Sequence, residues 1–552
     1  MSVLIFSILT NFIYYCFGCL ISLNKKNTFS DQFYVFFIGA VGLSFISLIL
    51  NFIVPLNATI NSFIYFLIII IFFFKFKNKI NKKTIIFLIA SSVITFLLII
   101  YSNINRPDAG LYHLPYISLI NENKIIFGIS NLHSRFGHVS IIQYLQAINK
   151  NYVFSDNGIS IPVASIISFF YIYFFYNILE IVQKRKKIEL ESFFSLFILI
   201  YISYKISNYS NFGNDAIGHL CIFYLISIFL KEKIKVINIK KILIISIFIF
   251  ANKPMLGIIF IIPIFIFFYQ NKYSLKKIIT ISISVPSLCL YLWLIKNIIV
   301  SGCVIYPIKN SCFKNLSWTD YDEIIFRDLE SSVWSKGWPD RVNKNVSMEE
   351  YNKDFNWISS WSKKHLKYIL EIIVPYILVI ILITFYIISK SKKTLSRHDE
   401  FEDNFKIALF FSLAGTISFL IFFPLYRYGY SYLITLIILT IIFTLKNKIK
   451  YFKNIILFNA IFIICATVIV GKQMHRMYVN KDNQIWPNIY NSGGVIDEVK
   501  TIRKKIDNEF IYYLAYENEG LCMYSPSPCT SYALSKKINY KKKASYSFLD
   551  IK

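Results

Sequence analysis

The 552-residue chain is 56% hydrophobic and 18% aromatic, only 16% of its residues are charged, and its mean hydropathy is +0.53. Soluble proteins carry roughly 25% charged residues, so these figures exclude a water-soluble globule, a disordered chain and a coiled coil. The 59 basic and 31 acidic residues leave a net charge of +28, a nucleic-acid signal on a soluble protein; its meaning here depends on where the lysines lie.

In chain order, apolar stretches occur at about 2–22, 34–55, 60–76, 84–101, 160–183, 191–206, 216–230, 236–251, 255–269, 278–299, 368–389, 406–425, 429–445 and 454–470. Each is of a length suited to crossing a bilayer core of about 30 Å. They predict an all-α integral membrane protein with about 14 transmembrane helices, 11 at the fewest. The first stretch follows Met1 with no basic segment and no small-residue cleavage site, and reads as a retained span. Residues 236–269 could be one broken helix, but Asn252-Lys253-Pro254 interrupts the run, and two short spans joined by a tip at 252–254 fit better.

Seven short connections, from Lys25–Lys26 to Lys446–Lys453, hold 27 of the 59 basic residues. The alternate short connections are nearly empty, with Lys253 and Arg427 as exceptions. Because basic loops stay cytoplasmic, segments 102–159, 300–367 and 471–552 and both termini are expected outside. Cysteines agree with this division. Cys303 and Cys312 share one outer loop, and Cys522 and Cys529 share the C-terminal segment, which suits two disulfides in an oxidising compartment. Zinc is the alternative, but no His lies at ligand spacing from either pair. The other five cysteines lie inside apolar stretches.

Neither GxxxxGK[ST] nor GxGxxG occurs, which argues against nucleotide-driven transport. In the first outer segment, 109–122 and 138–149 place apolar residues at helical spacing and predict two amphipathic helices on the outer interface. Arg106, Asp108, Tyr112 and His113 cluster just before and within the first of these. Asp108 is either an N-cap or a functional carboxylate. His133, Arg135 and His138 add donors and cations for an anionic head group, or are solvated loop residues. Asp215 opens a later span behind Asn214, again at a cap-like position. Two carboxylates at one pocket suit general-base work or a divalent cation, Mg or Mn, held by Asp108 and Asp215. Lys253, Lys296 and Arg427 lie at ends of apolar spans, where charge either snorkels to lipid phosphate or binds an anionic substrate. The second outer loop carries Trp318, Trp334, Trp338, Trp357 and Trp361, which are either membrane anchors or platforms for a sugar face.

Taken together these elements resemble the GT-C superfamily of polytopic glycosyltransferases, and most closely uncharacterised bacterial members with an Asp-x-x-x-Tyr-His element. The resemblance rests on Asp108 opening a long loop (Asp108 to His113), Asn214-Asp215 in a short turn, Asn252-Lys253-Pro254, and Lys296-Asn297 followed by Gly302 and Tyr306-Pro307. It covers about 84–430, with residues 1–83 as extra N-terminal helices, 84–470 as the transmembrane module and 471–552 as an extracytoplasmic segment. The key loop follows the fourth span, whereas family members usually place it after the first.

The resemblance implies a polyprenyl-phosphate-linked sugar donor, a glycan, lipid or protein acceptor, and a bacterial inner membrane with the active site facing outward. It makes Asp108 the general base. Arg106, Tyr112, His113, His133, Arg135, Asp215, Lys253, Lys296 and Arg427 become substrate contacts. The remaining partners are membrane lipids, with no nucleic acid. An O-antigen polymerase or ligase would use the arginines without needing Asp108. A transporter or flippase would place its charges at the bilayer midplane and show inverted repeats.

Overall fold

A computed structural model describes residues 1–22, 29–102, 107–184, 190–205, 212–271, 274–390, 403–449, 455–491, 499–516, 520–534 and 536–551. Arg106 lies outside the described residues. The molecule is mostly helical, and every apolar stretch read from the sequence contains a helix. Among the described residues, ten helices are long and apolar enough to cross a membrane, or eleven if Leu275–Ser282 and Val285–Ser301, bent by 58°, form one span. Leu190–Lys205, Asp215–Lys231 and Ile239–Asn252 hold 16, 17 and 14 residues and are shorter than those ten.

Burial sorts the helices into two classes. The span Asp156–Val182 is 94% buried, whereas Ile455–Val479 is only 17% buried. A helix apolar all round is either central or lipid-facing, so the first forms the core of the bundle and the second its perimeter.

Helix Ile239–Asn252 runs to a tip at Lys253, and Pro254–Phe260 and Ile261–Asn271 return from it. Gln270, at the end of the return, donates to the Ile234 (2.6 Å) and Ile237 (2.9 Å) carbonyls. Asn404 donates to the carbonyls of Phe229 and Glu232, both at 2.6 Å. Connections on the lysine-rich side are thereby tied together at one end of the bundle, with Lys253 at the other.

The three large segments meet at that other end. Gly128 lies at the junction with φ +68°, a left-handed conformation that favours glycine. A Cβ there would crowd the Leu549 carbonyl (2.6 Å) and Trp318 Cβ (2.7 Å). Asn131 bridges the same segments, donating to Trp318 O (2.9 Å) and Leu549 O (2.8 Å).

Two expectations are corrected here. The stretches 109–122 and 138–149 do form helices, Leu114–Glu122 after a wide turn at Ala109–His113, and Ile141–Ile148. They do not lie on the interface; every residue of Ile141–Ile148 is buried. Their polar side chains bond internally instead of facing water. Asn121 donates to Leu56 O (2.7 Å) and Ala147 O (2.9 Å), and Ser118 donates to Ser525 O (2.8 Å).

The second correction concerns the C-terminal segment, which adds strands to the otherwise helical chain. β1 (Thr501–Ile506) pairs antiparallel with β2 (Phe510–Ala515), which pairs in parallel with β3 (Cys529–Thr530). β4 (Ile538–Lys543) and β5 (Tyr546–Ile551) form an antiparallel hairpin. Both expected disulfides, Cys303–Cys312 and Cys522–Cys529, are formed. The second lies within the segment seated on the first loop, where Met523 N donates to Gly110 O at 2.9 Å.

Candidate functional site

A cavity of about 730 Å³ opens at the end of the bundle where the large segments meet. Its walls come from the first loop, the tips of three helical hairpins and the second loop. Asp108, Tyr112, His113, Arg135, Asp215, Lys253 and Arg427 all line it, although they lie up to 319 positions apart.

Two carboxylate–cation pairs organise the charge. Lys253 Nζ pairs with Asp215 Oδ1 and donates to the Arg427 carbonyl at 3.0 Å. The tip is fixed by Asn214, whose amide donates to Asn252 O. The second pair is Arg427 Nη1 with Asp108 Oδ2 at 3.4 Å. Asp108 precedes the wide turn, yet its side chain makes no cap bond. The capping alternative is therefore not the one realised.

Tyr428 joins the pairs. Its hydroxyl accepts from Arg427 Nη2 at 2.9 Å, and Lys253 Nζ lies 4.5 Å from its ring centroid. His219, inside helix Asp215–Lys231, braces the same corner through Ser431 Oγ (2.7 Å) and the Arg427 carbonyl (3.0 Å).

His113 has a defined tautomer. Ser140 N–H donates to Gln143 Oε1 at 2.9 Å, so the Gln143 amide NH₂ donates to His113 Nδ1 at 2.7 Å. The imidazole proton then resides on Nε2. Burial pushes the His113 pKa down to about 4, so at neutral pH the ring is an uncharged N–H donor.

Two expected contacts do not reach the cavity. Lys296 is fully buried behind it; its Nζ donates to Val139 O at 3.2 Å and sits 5.3 Å from the Trp293 ring centroid. Its neighbour Asn297 lines the cavity instead, because adjacent helical residues face different sides. His133 packs against Phe136 and Tyr532, with ring centroids 5.1 and 5.6 Å away, and its Nδ1 accepts from Arg135 N at 3.2 Å. It supports the loop that carries Arg135, and burial lowers its pKa to about 3.

A Mg or Mn ion takes about six oxygen ligands, several of them water. Asp108 and Asp215 each face a cation already, and among the described residues no group of three His, Cys, Asp or Glu side chains gathers as a metal site. An ion there would have to displace Arg427 from Asp108 and Lys253 from Asp215 and draw its other ligands from substrate phosphate and water.

Sequence reasoning passed over Tyr428, Gln143 and the helix Tyr321–Ser335, which besides Trp334 contributes Asp328, Glu330, Ser331 and Ser332 to the cavity wall. Tyr428 adjoins Arg427, which the sequence does single out, and the helix Tyr321–Ser335 lies in the tryptophan-rich loop. Gln143 carries no local signal.

No curated protein and no solved structure matches the chain. A family model described as a domain of unknown function, DUF8201, matches residues 1–434, a stretch that contains every cavity-lining residue named above. The chain belongs to the DUF8201 family.

Proposed function

We propose that the protein is a membrane glycosyltransferase of GT-C type, with fourteen crossings, that moves a sugar from a polyprenyl-phosphate carrier to a glycan, lipid or protein acceptor. Its site would face outward from a bacterial inner membrane and serve cell-envelope polysaccharide synthesis. The observation that carries this reading is the convergence of Asp108, Asp215, Lys253 and Arg427 on one cavity at the end of the bundle.

The rest of the cavity supports it. Met255, Gly257, Ile258, Phe422 and Phe423 give it an apolar flank, and Phe422 is 57% exposed. Cations beside an apolar flank suit a phosphate on a lipid tail. Charge at helix ends, not at a midplane, favours transfer over transport.

In this mechanism Asp108 accepts the proton of an acceptor hydroxyl as its oxygen bonds to the anomeric carbon. The bond from that carbon to the phosphate oxygen breaks, and the electron pair leaves with the polyprenyl phosphate. A single displacement inverts the configuration. Arg427, Lys253 and Arg135 offset the charge that grows on the leaving phosphate, and His113 Nε2–H is a neutral donor at the same cavity.

The test is a transfer assay with purified protein and polyprenyl-phosphate sugars, comparing wild type with Asp108→Asn. Loss of transfer with normal insertion is expected. Near-normal transfer by the Asn variant would remove Asp108 from the mechanism.

A further inference from the structure

Five tryptophans crowd the second loop, and packing occupies four of them. Trp318 Nε1 donates to Ile298 O at 3.0 Å, and its ring meets Phe127. Trp338 lies under Arg341, 3.8 Å from its guanidinium carbon. Trp357 and Trp361 pack edge to face, and Trp361 Nε1 donates to Pro424 O at 2.7 Å. Trp334 differs: it is 49% exposed and is the one of the five that lines the cavity.

Its neighbours are polar and at helical spacing. Glu330 and Ser331 precede it by four and three residues, and Asp328 precedes Ser331 by three, so they form one continuous row. All four line the cavity. Glu330 keeps one oxygen on Arg327 Nη1 at 2.6 Å. Trp293 Nε1 and Asn297 Oδ1, on lining residues that are almost wholly buried, have no hydrogen-bond partner within the protein.

We infer that this wall is a saccharide subsite: the Trp334 ring stacks on the apolar face of a pyranose, and Asp328 and Glu330 accept hydrogen bonds from its hydroxyls. A flat aromatic beside carboxylates matches a ligand with a C–H face and a rim of O–H donors. Asp328 and Glu330 would repel an anion and suit a ligand rich in hydroxyl donors. The inference rests on the glycosyltransferase reading and locates the sugar within that cavity.

The test measures binding without turnover. Saturation-transfer NMR is recorded on the full chain in nanodiscs, with methyl pyranosides of glucose, galactose, mannose, rhamnose and N-acetylglucosamine as probes. Wild type is compared with Trp334→Ala, Trp334→Phe, Asp328→Asn and Trp338→Ala. At least one pyranoside should bind wild type. Trp334→Ala and Asp328→Asn should each weaken it about tenfold, while Trp334→Phe and Trp338→Ala retain it. Polyprenyl-phosphate sugar added to the Asp108→Asn enzyme identifies the source: competition marks the donor's sugar, and undisturbed binding marks the acceptor's. Absence of pyranoside binding, or binding indifferent to Trp334→Ala, overturns the subsite. Because no transfer is needed, an inactive Asp108→Asn enzyme that still binds the pyranoside separates this result from the catalytic assignment.

Discussion

Two carboxylate–cation pairs share one cavity and differ in how closed they are. In the Asp215–Lys253 pair the lysine is only 7% exposed and is also held by the Arg427 carbonyl, while Asp215 is 36% exposed. In the Asp108–Arg427 pair the side chains are 37% and 46% exposed and the contact is long, 3.4 Å. The closed pair joins two helical tips and fixes the cavity's shape. The two carboxylates are equally exposed, so the pairs are told apart by the cation, buried in one and half-exposed in the other. Two aspartates with similar sequence settings and equal exposure thus sit in different fields, because one meets a buried ammonium and the other a half-exposed guanidinium.

The largest expected effect separates the pairs directly. Asp108→Asn should lower transfer by about 10²–10⁴-fold yet change stability by less than about 0.5 kcal/mol; thermal melting beside the assay reads both. Asp215→Asn should show the converse balance. It strands the Lys253 ammonium and should cost about 3 kcal/mol of stability, with Asp215→Asn/Lys253→Met recovering most of that loss. A double variant no more stable than the single would show that the closed pair is not structural.

A third expectation concerns pH. His113 and His133 have folded pKa values of about 4 and 3 against an ordinary value of about 6.5. Above pH 6.5 both are neutral folded or unfolded, and their neutral burial costs nothing extra. Below it the unfolded chain takes up protons first, so stability falls toward pH 4, by at most about 1.4 kcal/mol per unit for each histidine. Melting temperatures between pH 7 and 4.5 check this, and His133→Gln should flatten the slope. An equally steep slope in that variant would mean His133 is not the group responsible.

The smallest effect tests the cap. Gly128→Ala places a Cβ against Leu549 and Trp318 at a left-handed φ and should cost about 2 kcal/mol. It loosens the segment beside the Asp108 loop and leaves the Asp215–Lys253 pair alone. Transfer per folded molecule should therefore fall less than for Asp108→Asn, while expression drops with the lost stability.

Much was legible without coordinates. Apolar runs mark helices because the signal is local, and Lys253 and Arg427 stood out as basic residues on the sparse side of the pattern. Asp108, Asp215, Lys253 and Arg427 were all named from the chain alone. Lys296 and His133 were misplaced, because one step of helix phase or one turn of loop decides whether a side chain reaches a cavity or packs behind it. The helices at 109–122 and 138–149 looked interfacial because their polar residues imply water; the structure turns those residues onto backbone carbonyls of other segments, which no local pattern encodes.

The sequence by itself determined the helical membrane character, the segregation of lysines into alternate connections, the two cysteine pairs and a short roster of unusual charges. Tertiary structure alone decided which of those charges meet, which pair is closed and which open, that a strand-bearing cap seats on the first loop, and that Trp334 is the tryptophan of its loop that opens onto the cavity. The physical reason is range. Hydrophobicity and charge bias act along a helix and can be read within about twenty residues, whereas a cavity forms where helix ends separated by hundreds of residues are brought within a few ångströms by packing.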